Sequence, residues 1–401
     1  MGQLTLRSIA FSELLGRDLG WTLDKLTLNH INLLVGKNAT GKSRVLNVIG
    51  NLARQLLQGE LRTMNFDWDV VFEEQEVSGA IKTVRCELRA VDGKMEYERV
   101  SIDGVVQLER SKAGILKIKA VQLNQEISYR PSSSEVATVS RRDELQYPFL
   151  NPIHEWATAV RSYHFGSQLG KDNFGIGVQK TSSIVQIPEV DDSNEDQVVP
   201  IFDRGRKQFE NTFVQAIIAD MGSLGYRLSS IDISEPSNLI IKAPVPLPGK
   251  LGAIGVQEEG IQGTYHQNSM SQGMFRALSI LVQVNYSQMA NRANCILIDD
   301  IGEGLDFERS SKLIDVLREK SRNSRFQLIM STNDQFVMNH VPLEEWSVLH
   351  RNGSHVSVFN KDNAAARFEE FKFIGMSNFT FFETDFANSA VMQECETVTN
   401  E

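Results

Sequence analysis

Eight consecutive residues near the start of the chain have the types and the spacing of a loop that binds phosphate. They are Gly36, Lys37, Asn38, Ala39, Thr40, Gly41, Lys42 and Ser43. The apolar run before them predicts a buried strand, and the apolar spacing after Ser43 predicts a helix. Backbone N–H groups at the start of such a helix attract an anion. We therefore expect a nucleoside triphosphate here, with Lys42 on the β- and γ-phosphates and Ser43 on Mg²⁺.

Carboxylates follow a second apolar run much later in the chain. The run Cys295-Ile296-Leu297-Ile298 predicts a buried strand, and Asp299-Asp300 comes directly after it. A carboxylate at the tip of a buried strand suits the water shell of a nucleotide-bound Mg²⁺, so Asp299 is the expected metal residue. Asp300 takes the next position, and Glu303 follows in the same acidic segment.

Two further polar positions complete the set of candidate side chains. Asp306 precedes an apolar helical pattern, so it is a candidate helix cap as well as a nucleotide contact, and the two roles are compatible. Asn333 follows the apolar run Phe326–Met330. An asparagine there can donate one hydrogen bond but cannot shuttle a proton.

The order of these motifs resembles that of an ABC-type ATPase of the RecF/SMC/OLD group. Within that group the chain resembles the small AAA-annotated ATPases of bacterial anti-phage defence systems. The phosphate-binding loop (the P-loop) comes first, a signature segment at Met270–Arg276 follows after a long interval, and Asp299-Asp300, Gly304-Leu305-Asp306 and Ser331–Asp334 come last.

The resemblance implies roles that the residues alone do not. Ser271, Gln272 and Gly273 would contact ATP bound by a second protomer, so that two ATP molecules join a homodimer; an ordinary helix cap at Ser271 is the alternative. Gln168 would sense Mg²⁺, with a plain surface glutamine as the alternative. Related ATPases usually carry a Glu that polarises the attacking water where Asp300 stands, so the resemblance makes Asp300 the expected general base and Glu303 the alternative base. They usually carry His where Asn333 stands, so slow turnover is expected.

The implied fold class is α/β, a P-loop ABC-type ATPase head of RecF-like form with an antiparallel β-meander, a short helical insertion and no long coiled coil. Alternating runs within residues 69–119, with turns at Asp92-Gly93 and Asp103-Gly104, predict the meander. We expect an N-terminal ATPase lobe at 1–125, an insertion at 126–255, a C-terminal ATPase lobe at 256–386 and a tail at 387–401.

Helical patterns are expected at two places in the insertion, one through Trp156, Val160 and Tyr163 and one through Phe209, Phe213, Ile217 and Met221. The phenylalanines of residues 368–386 are expected to pack on the ATPase head, with a partner-docking strip as the alternative. His154 and His164 have no metal-ligand partners at suitable spacing, so each is expected to be structural or exposed.

Composition narrows the functional classes. The chain has 401 residues, 41% apolar content and a net charge of −10, which favours a globular protein and argues against broad coating of nucleic acid. Small basic clusters, at Arg141-Arg142, at Arg204–Lys207 and at Lys117 with Lys119, leave local DNA contact possible. Without an apolar span or a leader pattern, we expect a cytoplasmic location with no membrane contact.

The leading hypothesis is an ATP-gated homodimer that binds ATP, hydrolyses it slowly and regulates a separately encoded effector protein, in anti-phage defence. No carboxylate-rich nuclease segment is expected after Asn333. One rival is a RecF-like DNA-repair ATPase that binds DNA directly. The other is an ATP-dependent scaffold in which hydrolysis is incidental.

Overall fold

The computed structural model describes most of the chain, and its residues fold into two compact units. The described residues are 3–13, 20–61, 65–75, 79–178, 190–236, 249–324 and 326–386. The first unit comprises residues 1–161, 294–297 and 325–401, and the second comprises 162–293 and 298–324. The division into lobes, insertion and tail stays a prediction.

The elements follow one another in a mixed α/β order. The strands are β1 Leu4–Glu13, β2 Trp21–Thr27, β3 Ile31–Val35, β4 Phe66–Gln75, β5 Ile81–Val91, β6 Lys94–Ile102, β7 Val105–Arg110, β8 Leu116–Ala120, β9 Gln125–Tyr129, β10 Val160–His164, β11 Gly175–Val178, β12 Leu228–Ser234, β13 Gly249–Glu258, β14 Tyr265–His266, β15 Cys295–Asp299, β16 Gln327–Ser331, β17 Trp346–Asn352 and β18 His355–Asn360. The helices are α1 Lys42–Gln55, α2 Ala137–Ser140, α3 Asn151–Thr158, α4 Val198–Ser223, α5 Gln272–Met289, α6 Phe307–Arg322, α7 Gln335–His340, α8 Ala365–Ile374 and α9 Asn378–Glu383.

A fourteen-stranded sheet organises the first unit. Its order is β10-β15-β16-β3-β17-β18-β2-β1-β4-β5-β6-β7-β8-β9, and the last residues of β10 and β15 belong to the second unit. β3 pairs in parallel with β16 on one side and with β17 on the other. All five β3 residues are buried, as expected of a central strand in a parallel region covered on both faces.

The predicted β-meander is confirmed in the first unit. Strands β4 to β9 pair antiparallel in sequence order. The side chains of β4 alternate between buried and partly exposed positions, which is the pattern of a strand with one face on a core. Asp92 and Gly93 have φ values of 48° and 71°, and Asp103 and Gly104 have 48° and 80°. Positive φ at both central residues is what a tight two-residue hairpin requires.

The second unit combines three helices with a small antiparallel sheet. That sheet has the order β11-β13-β12, and β14 pairs with β13. The predicted helix through Phe213, Ile217 and Met221 is confirmed as part of α4, which is interrupted at Glu210, where φ is 51°. α5 is buried from Gly273 to Ser287, so it forms the centre of this unit. Across the described residues, α4 with 26 residues is the longest helix, so this part of the chain contains no long coiled coil.

Two other expectations have clear outcomes. The helix expected through Trp156, Val160 and Tyr163 ends at Thr158, and Val160 and Tyr163 lie in β10, whose side chains alternate in burial with a period of two. The packing expected of the carboxyl-terminal phenylalanines is confirmed for Phe368, Phe371 and Phe381, which are at most 2% exposed.

Among the described helices, none has both the length and the apolar character needed to cross a membrane.

Candidate nucleotide site

The P-loop of the first unit joins β3 to α1. The backbone turns at Ala39 and Gly41, where φ is 65° and 104°, and the helix begins at Lys42. The ammonium group of Lys42 donates to the carbonyl of Gly36 at 2.8 Å and to that of Lys37 at 3.4 Å. Because Lys42 is only 6% exposed, its charge is held against the loop. This arrangement suits the binding of an anion at the helix start.

Contacts within the first unit fix the shape of the loop. Thr40 donates through its hydroxyl to the Lys37 carbonyl at 2.8 Å. A Cβ atom on Gly36 would lie 2.5 Å from the Thr40 hydroxyl oxygen and 3.0 Å from the Leu349 carbonyl oxygen, so the loop packs tightly there. Arg351 donates from its guanidinium to the Ala39 carbonyl at 3.0 Å. These contacts together define the conformation of the loop.

Asn333 lies at the same sheet edge as the P-loop. β16 and β3 are parallel, with Ser331 opposite Leu34, and the N–H of Thr332 donates to the carbonyl of Leu34 at 3.4 Å. The carboxyl ends of parallel neighbours meet at one edge of a sheet, which is where ligands bind in α/β folds. The structure thus brings Asn333 and the P-loop together within the first unit.

The carboxylates that follow β15 belong to the second unit. Asp299 is 8% exposed, and its carbonyl accepts from the N–H of Phe165 at 2.9 Å. Asp300 has a φ of 51°, so the chain turns sharply at this residue. Glu303 closes the turn by donating from its backbone to the carbonyl of Asp300 at 3.2 Å.

The predicted signature forms the amino-terminal end of α5. Ser271 caps the helix, and its hydroxyl accepts from the N–H of Met274 at 3.3 Å. The capping role that was an alternative from sequence is therefore present, and it is compatible with a phosphate contact. A Cβ atom on Gly273 would lie 2.5 Å from the Gly304 carbonyl oxygen. Only glycine permits this approach of α5 to the loop before Asp306.

Arg276 connects three segments of the second unit. Its guanidinium donates to the carbonyls of Ser167 at 2.8 Å and Glu303 at 3.0 Å, and also to the carbonyl of Gly166. The side chain is 6% exposed, and the Glu303 carboxylate lies 4.0 Å from it. Five N–H donors in a rigid fork allow one arginine to satisfy several carbonyls. The sequence identified Arg276 only as the last residue of the signature segment.

Asp306 and Gln168 lie in the second unit as well. Asp306 caps α6 by accepting from the N–H of Arg309 at 3.0 Å, and this hydrogen bond lowers the pKa of its carboxyl. The Arg309 guanidinium lies 4.7 Å above the Tyr226 ring. Gln168 is exposed in the turn after β10, and its carbonyl accepts from the N–H of Lys171 at 3.0 Å.

The environment of His164 was not foreseen from the sequence. Its Nδ1 lies 2.9 Å from a Glu195 carboxylate oxygen, and its backbone N–H donates to the other oxygen. The hydrogen bond that His164 donates to the Glu195 carboxylate raises the pKa of His164, and the negative charges of Glu195, Asp299 and Asp300 act in the same direction. A lone histidine at the end of a strand gives no sequence signal of these partners, because the pairing joins residues 31 positions apart.

The basic clusters that kept DNA contact open have acidic neighbours. Lys117 pairs with Glu126 at 3.1 Å, Arg141 pairs with Glu135 at 2.8 Å, and Arg206 pairs with Asp203 at 2.9 Å and also with Asp232. Within the described residues, no group of three or more His, Cys, Asp or Glu side chains could hold a metal ion. A nucleotide-bound Mg²⁺ does not require one, since it is commonly held by one or two carboxylates together with phosphates and water.

Comparison with known proteins gives weak global likenesses. No protein-family model matches the chain, and no curated protein matches it. The solved structures that are similar include an SMC head bound to the C-terminal winged-helix domain of ScpA (TM-score 0.46, 14% identity, 88% of this chain and 96% of that one). They also include an SMC head with an extended coiled coil bound to the C-terminal domain of ScpA from Pyrococcus furiosus (TM-score 0.45, 13% identity, 92% of this chain and 100% of that one). A third is an SMC head from Thermotoga maritima (TM-score 0.44, 12% identity, 88% of this chain and 98% of that one). Likeness at this level establishes neither family nor function.

Proposed function

We propose that this chain is an ABC-type ATPase that binds ATP with Mg²⁺ and hydrolyses it slowly. The observation that carries the proposal is the P-loop of the first unit, in which a buried strand, a tight loop and a helix hold Lys42 against the loop carbonyls. A motif of this type in strand-loop-helix context binds the phosphates of a nucleotide. An incoming triphosphate would replace the Gly36 and Lys37 carbonyls as partners of Lys42.

The remaining roles follow from the chemistry of each side chain. Ser43 and Asp299 have oxygen atoms suited to Mg²⁺, with Gln168 as a further candidate. When bound, Mg²⁺ neutralises charge on the phosphates. Asp300 is the candidate base that orients the attacking water, and Asn333 can donate a hydrogen bond to the γ-phosphate. Turnover is slow in this proposal because an aspartate reaches less far than a glutamate and an asparagine cannot carry a proton.

Glu303 is a weaker candidate base than Asp300. Its backbone carbonyl accepts from Arg276, and its carboxylate lies 4.0 Å from the same guanidinium. A Cβ atom on Gly166 would lie 2.5 Å from that carboxylate. These contacts place Glu303 beside Arg276, with its side chain 57% exposed.

The dimeric form of the proposal depends on the end of α5. Ser271, Gln272 and Gly273 occupy the first turn region of a buried helix, where N–H groups and partial positive charge favour a phosphate. In the proposed homodimer this end contacts the ATP held by the other protomer. ATP binding would then drive association, and the dimer would control a separate effector protein, with anti-phage defence as the proposed setting.

The ATPase proposal is tested by changing Lys42→Ala. ATP binding, measured by calorimetry with Mg²⁺ present, should become undetectable, and phosphate release should fall to background. The matched control is Arg54→Ala, an exposed basic residue in the last turn of the same helix, which should bind ATP as the wild type does. If Lys42→Ala still binds ATP with wild-type affinity, the P-loop is not the nucleotide site.

The dimer proposal needs a separate measurement. Analytical ultracentrifugation should show a monomer without nucleotide and a dimer with ATP for the wild type, but monomers in both conditions for Lys42→Ala. A dimer that forms equally well in the variant would exclude ATP as the joining element. Co-purification with the products of neighbouring genes then tests the effector.

Direct DNA binding is the rival, and the pairing of the basic clusters with carboxylates argues against it. Phosphate contacts make DNA binding strongly salt-dependent. If the protein bound duplex DNA at low salt, and bound it more tightly with ATP, the repair function would replace the regulatory one. Association with partners in ATP but no measurable turnover would instead support the scaffold.

A further inference from the structure

A cavity of about 370 Å³ opens beside the P-loop within the first unit. One wall is the outer side of the loop, Lys37–Thr40, and the other contains His350 and Arg351 from β17 together with Phe382 and Asp385 from the end of α9. Small-molecule pockets usually measure roughly 300–1,000 Å³ and are mostly apolar with a few polar groups. The size therefore suits part of a nucleotide.

The position of this cavity in the sheet relates it to the phosphate site. β3 lies between β16 and β17, so Asn333 is on one side of the P-loop and the cavity is on the other. Neighbouring strands are about 4.8 Å apart, so the sheet edge from β16 to β17 is wide enough for an extended nucleotide. A triphosphate whose γ-phosphate is directed towards Asn333 would have its base and ribose on the side of β17.

The β17 residues in the wall of the cavity contact the P-loop directly. Arg351 donates to the carbonyl of Ala39 at 3.0 Å and to that of Gly353 at 2.7 Å. The Leu349 carbonyl oxygen would lie 3.0 Å from a Cβ atom on Gly36. The cavity and the phosphate site therefore keep a fixed spacing, as two parts of one ligand site must.

Phe382 presents an aromatic surface because its neighbours are anchored. Phe381 is fully buried, with its ring centre 4.8 Å from that of Phe368 and 4.9 Å from that of Phe371. Phe386 packs on Phe381 at 5.8 Å. Successive helix residues point about 100° apart, so burial of Phe381 directs Phe382 away from the core, where it lines the cavity. An aromatic ring that is fixed in position and lines a cavity, as that of Phe382 does, offers a surface on which a nucleotide base can stack.

Asp385 supplies a polar contact in the same cavity. Its φ of 53° is a left-handed conformation that aspartate tolerates, and its N–H donates to the Phe382 carbonyl at 3.1 Å. An ionised carboxylate only accepts hydrogen bonds. It would therefore favour a base with an exocyclic amino group, which adenine and guanine have and hypoxanthine lacks.

We propose that this cavity receives the base and ribose of the nucleotide, with Phe382 stacking on a purine and Asp385 accepting a hydrogen bond from its exocyclic amino group. The proposal rests on the nucleotide binding proposed above. It assigns the base-recognition site to residues that neither the P-loop nor the signature includes.

The first experiment separates the base from the phosphates. Calorimetry compares ATP with inorganic triphosphate, each with Mg²⁺, for the wild type, for Phe382→Ala and for the control Met376→Ala, an exposed apolar residue ahead of α9. Phe382→Ala should bind ATP roughly ten-fold more weakly and bind triphosphate unchanged, because only the base is lost from its stacking partner. Met376→Ala should match the wild type with both ligands.

Each other outcome has a distinct meaning. If Phe382→Ala kept wild-type ATP affinity, or lost ATP and triphosphate affinity equally, the cavity would not be the base site, while the ATPase proposal would stand. If the wild type bound neither ligand, the ATPase proposal itself would fail, and the base site with it.

The second experiment tests Asp385 and identifies the base. The wild type should bind ATP or GTP at least ten-fold more tightly than inosine triphosphate, and Asp385→Ala should reduce that preference to about two-fold, because a partly buried carboxylate acceptor favours a base that carries the matching donor. The comparison of ATP with GTP shows which amino group is read. A wild type that bound inosine triphosphate as tightly as both others would overturn the role of Asp385.

Discussion

The P-loop of the first unit and the Arg276 region of the second unit are both held by backbone carbonyls, but they are built differently. In the P-loop, Lys42 contacts carbonyls five and six residues earlier, so the contacts are local in sequence. In the second unit, Arg276 contacts carbonyls 27, 109 and 110 residues away. One site is a property of a short segment, and the other is a property of the folded unit.

This difference shows where each site is vulnerable. Strand, loop and helix start supply most of the geometry of the P-loop, and Leu349 and Arg351 add contacts from distant parts of the chain. The signature end of α5 is positioned by one buried guanidinium and by the absence of a side chain on Gly273. Small changes far from the phosphates should therefore disturb the second region more than the first.

Among the substitutions that test this comparison, Arg276→Ala should cause the largest loss in the free energy of unfolding. Removal of a buried arginine leaves the carbonyls of Gly166, Ser167 and Glu303 without their donor, which should cost about 3 kcal/mol in the free energy of unfolding. Urea denaturation measures the change. Arg292→Ala is the control, because Arg292 is half exposed and pairs with Asp192 at 3.0 Å, so its loss should cost less than about 1 kcal/mol. Equal losses in the two variants would show that Arg276 does not organise the unit.

The substitution Asp300→Asn tests whether a residue of the second unit acts as the general base in ATP hydrolysis. If Asp300 is the base, turnover should fall about 100-fold, with ATP affinity unchanged, because the amide cannot accept a proton. Glu303→Gln should change turnover less than about three-fold, since the Glu303 carboxylate lies beside the Arg276 guanidinium at 4.0 Å and is not the proposed base. Steady-state phosphate release under saturating ATP measures both. A larger loss in Glu303→Gln would transfer the base role to Glu303.

The sequence predicted the local parts of the fold well, and the reason is physical. Gly41 and Lys42 begin a helix after an apolar strand, and the turns at Asp92 and Asp103 form as expected, because neighbouring residues determine these features. Val160 and Tyr163 were assigned to a helix because their spacing fits a helical period. In the structure they lie in a strand of the large sheet, and tertiary pairing outweighs local pattern there.

The candidate site residues show the same difference between local features and long-range contacts. The residue type of Asp306 predicts a helix cap, and Asp306 caps α6. The cap at Ser271, which the sequence leaves as the alternative to a signature role, is also present. The contacts of His164 with Glu195, and those of Arg276 with its carbonyls, could not be inferred, because nothing in the sequence indicates which distant residues meet. The catalytic and binding roles themselves stay predictions.

The same substitution at two glycines sharpens the comparison directly. On Gly273 a methyl group meets the carbonyl oxygen of Gly304 at 2.5 Å, which cannot move without displacing backbone. On Gly36 it meets the hydroxyl of Thr40 at 2.5 Å, which can rotate, and the backbone oxygen of Leu349 at 3.0 Å, which is a less severe approach. Gly273→Ala should therefore cost about 2 kcal/mol in unfolding free energy without nucleotide, and Gly36→Ala about 1 kcal/mol. The reverse order would mean that the P-loop is the more tightly constrained region.

The smallest expected effect concerns a long-range support of the P-loop, the hydrogen bond from Arg351. Its hydrogen bond holds the carbonyl of Ala39, a residue in a left-handed conformation that a non-glycine residue adopts at a cost of roughly 1–2 kcal/mol. Arg351→Ala should leave the unfolding free energy within about 1 kcal/mol of wild type, because the side chain is exposed, but should weaken inorganic triphosphate binding about three-fold through loss of loop preorganisation. Calorimetry with triphosphate excludes any effect on base recognition, and the exposed Arg130→Ala provides the control for lost surface charge. Equal affinities in the two variants would mean that the segment from β3 to α1 keeps its conformation without Arg351. The P-loop would then depend on local contacts alone, whereas the Arg276 region depends on contacts between distant segments.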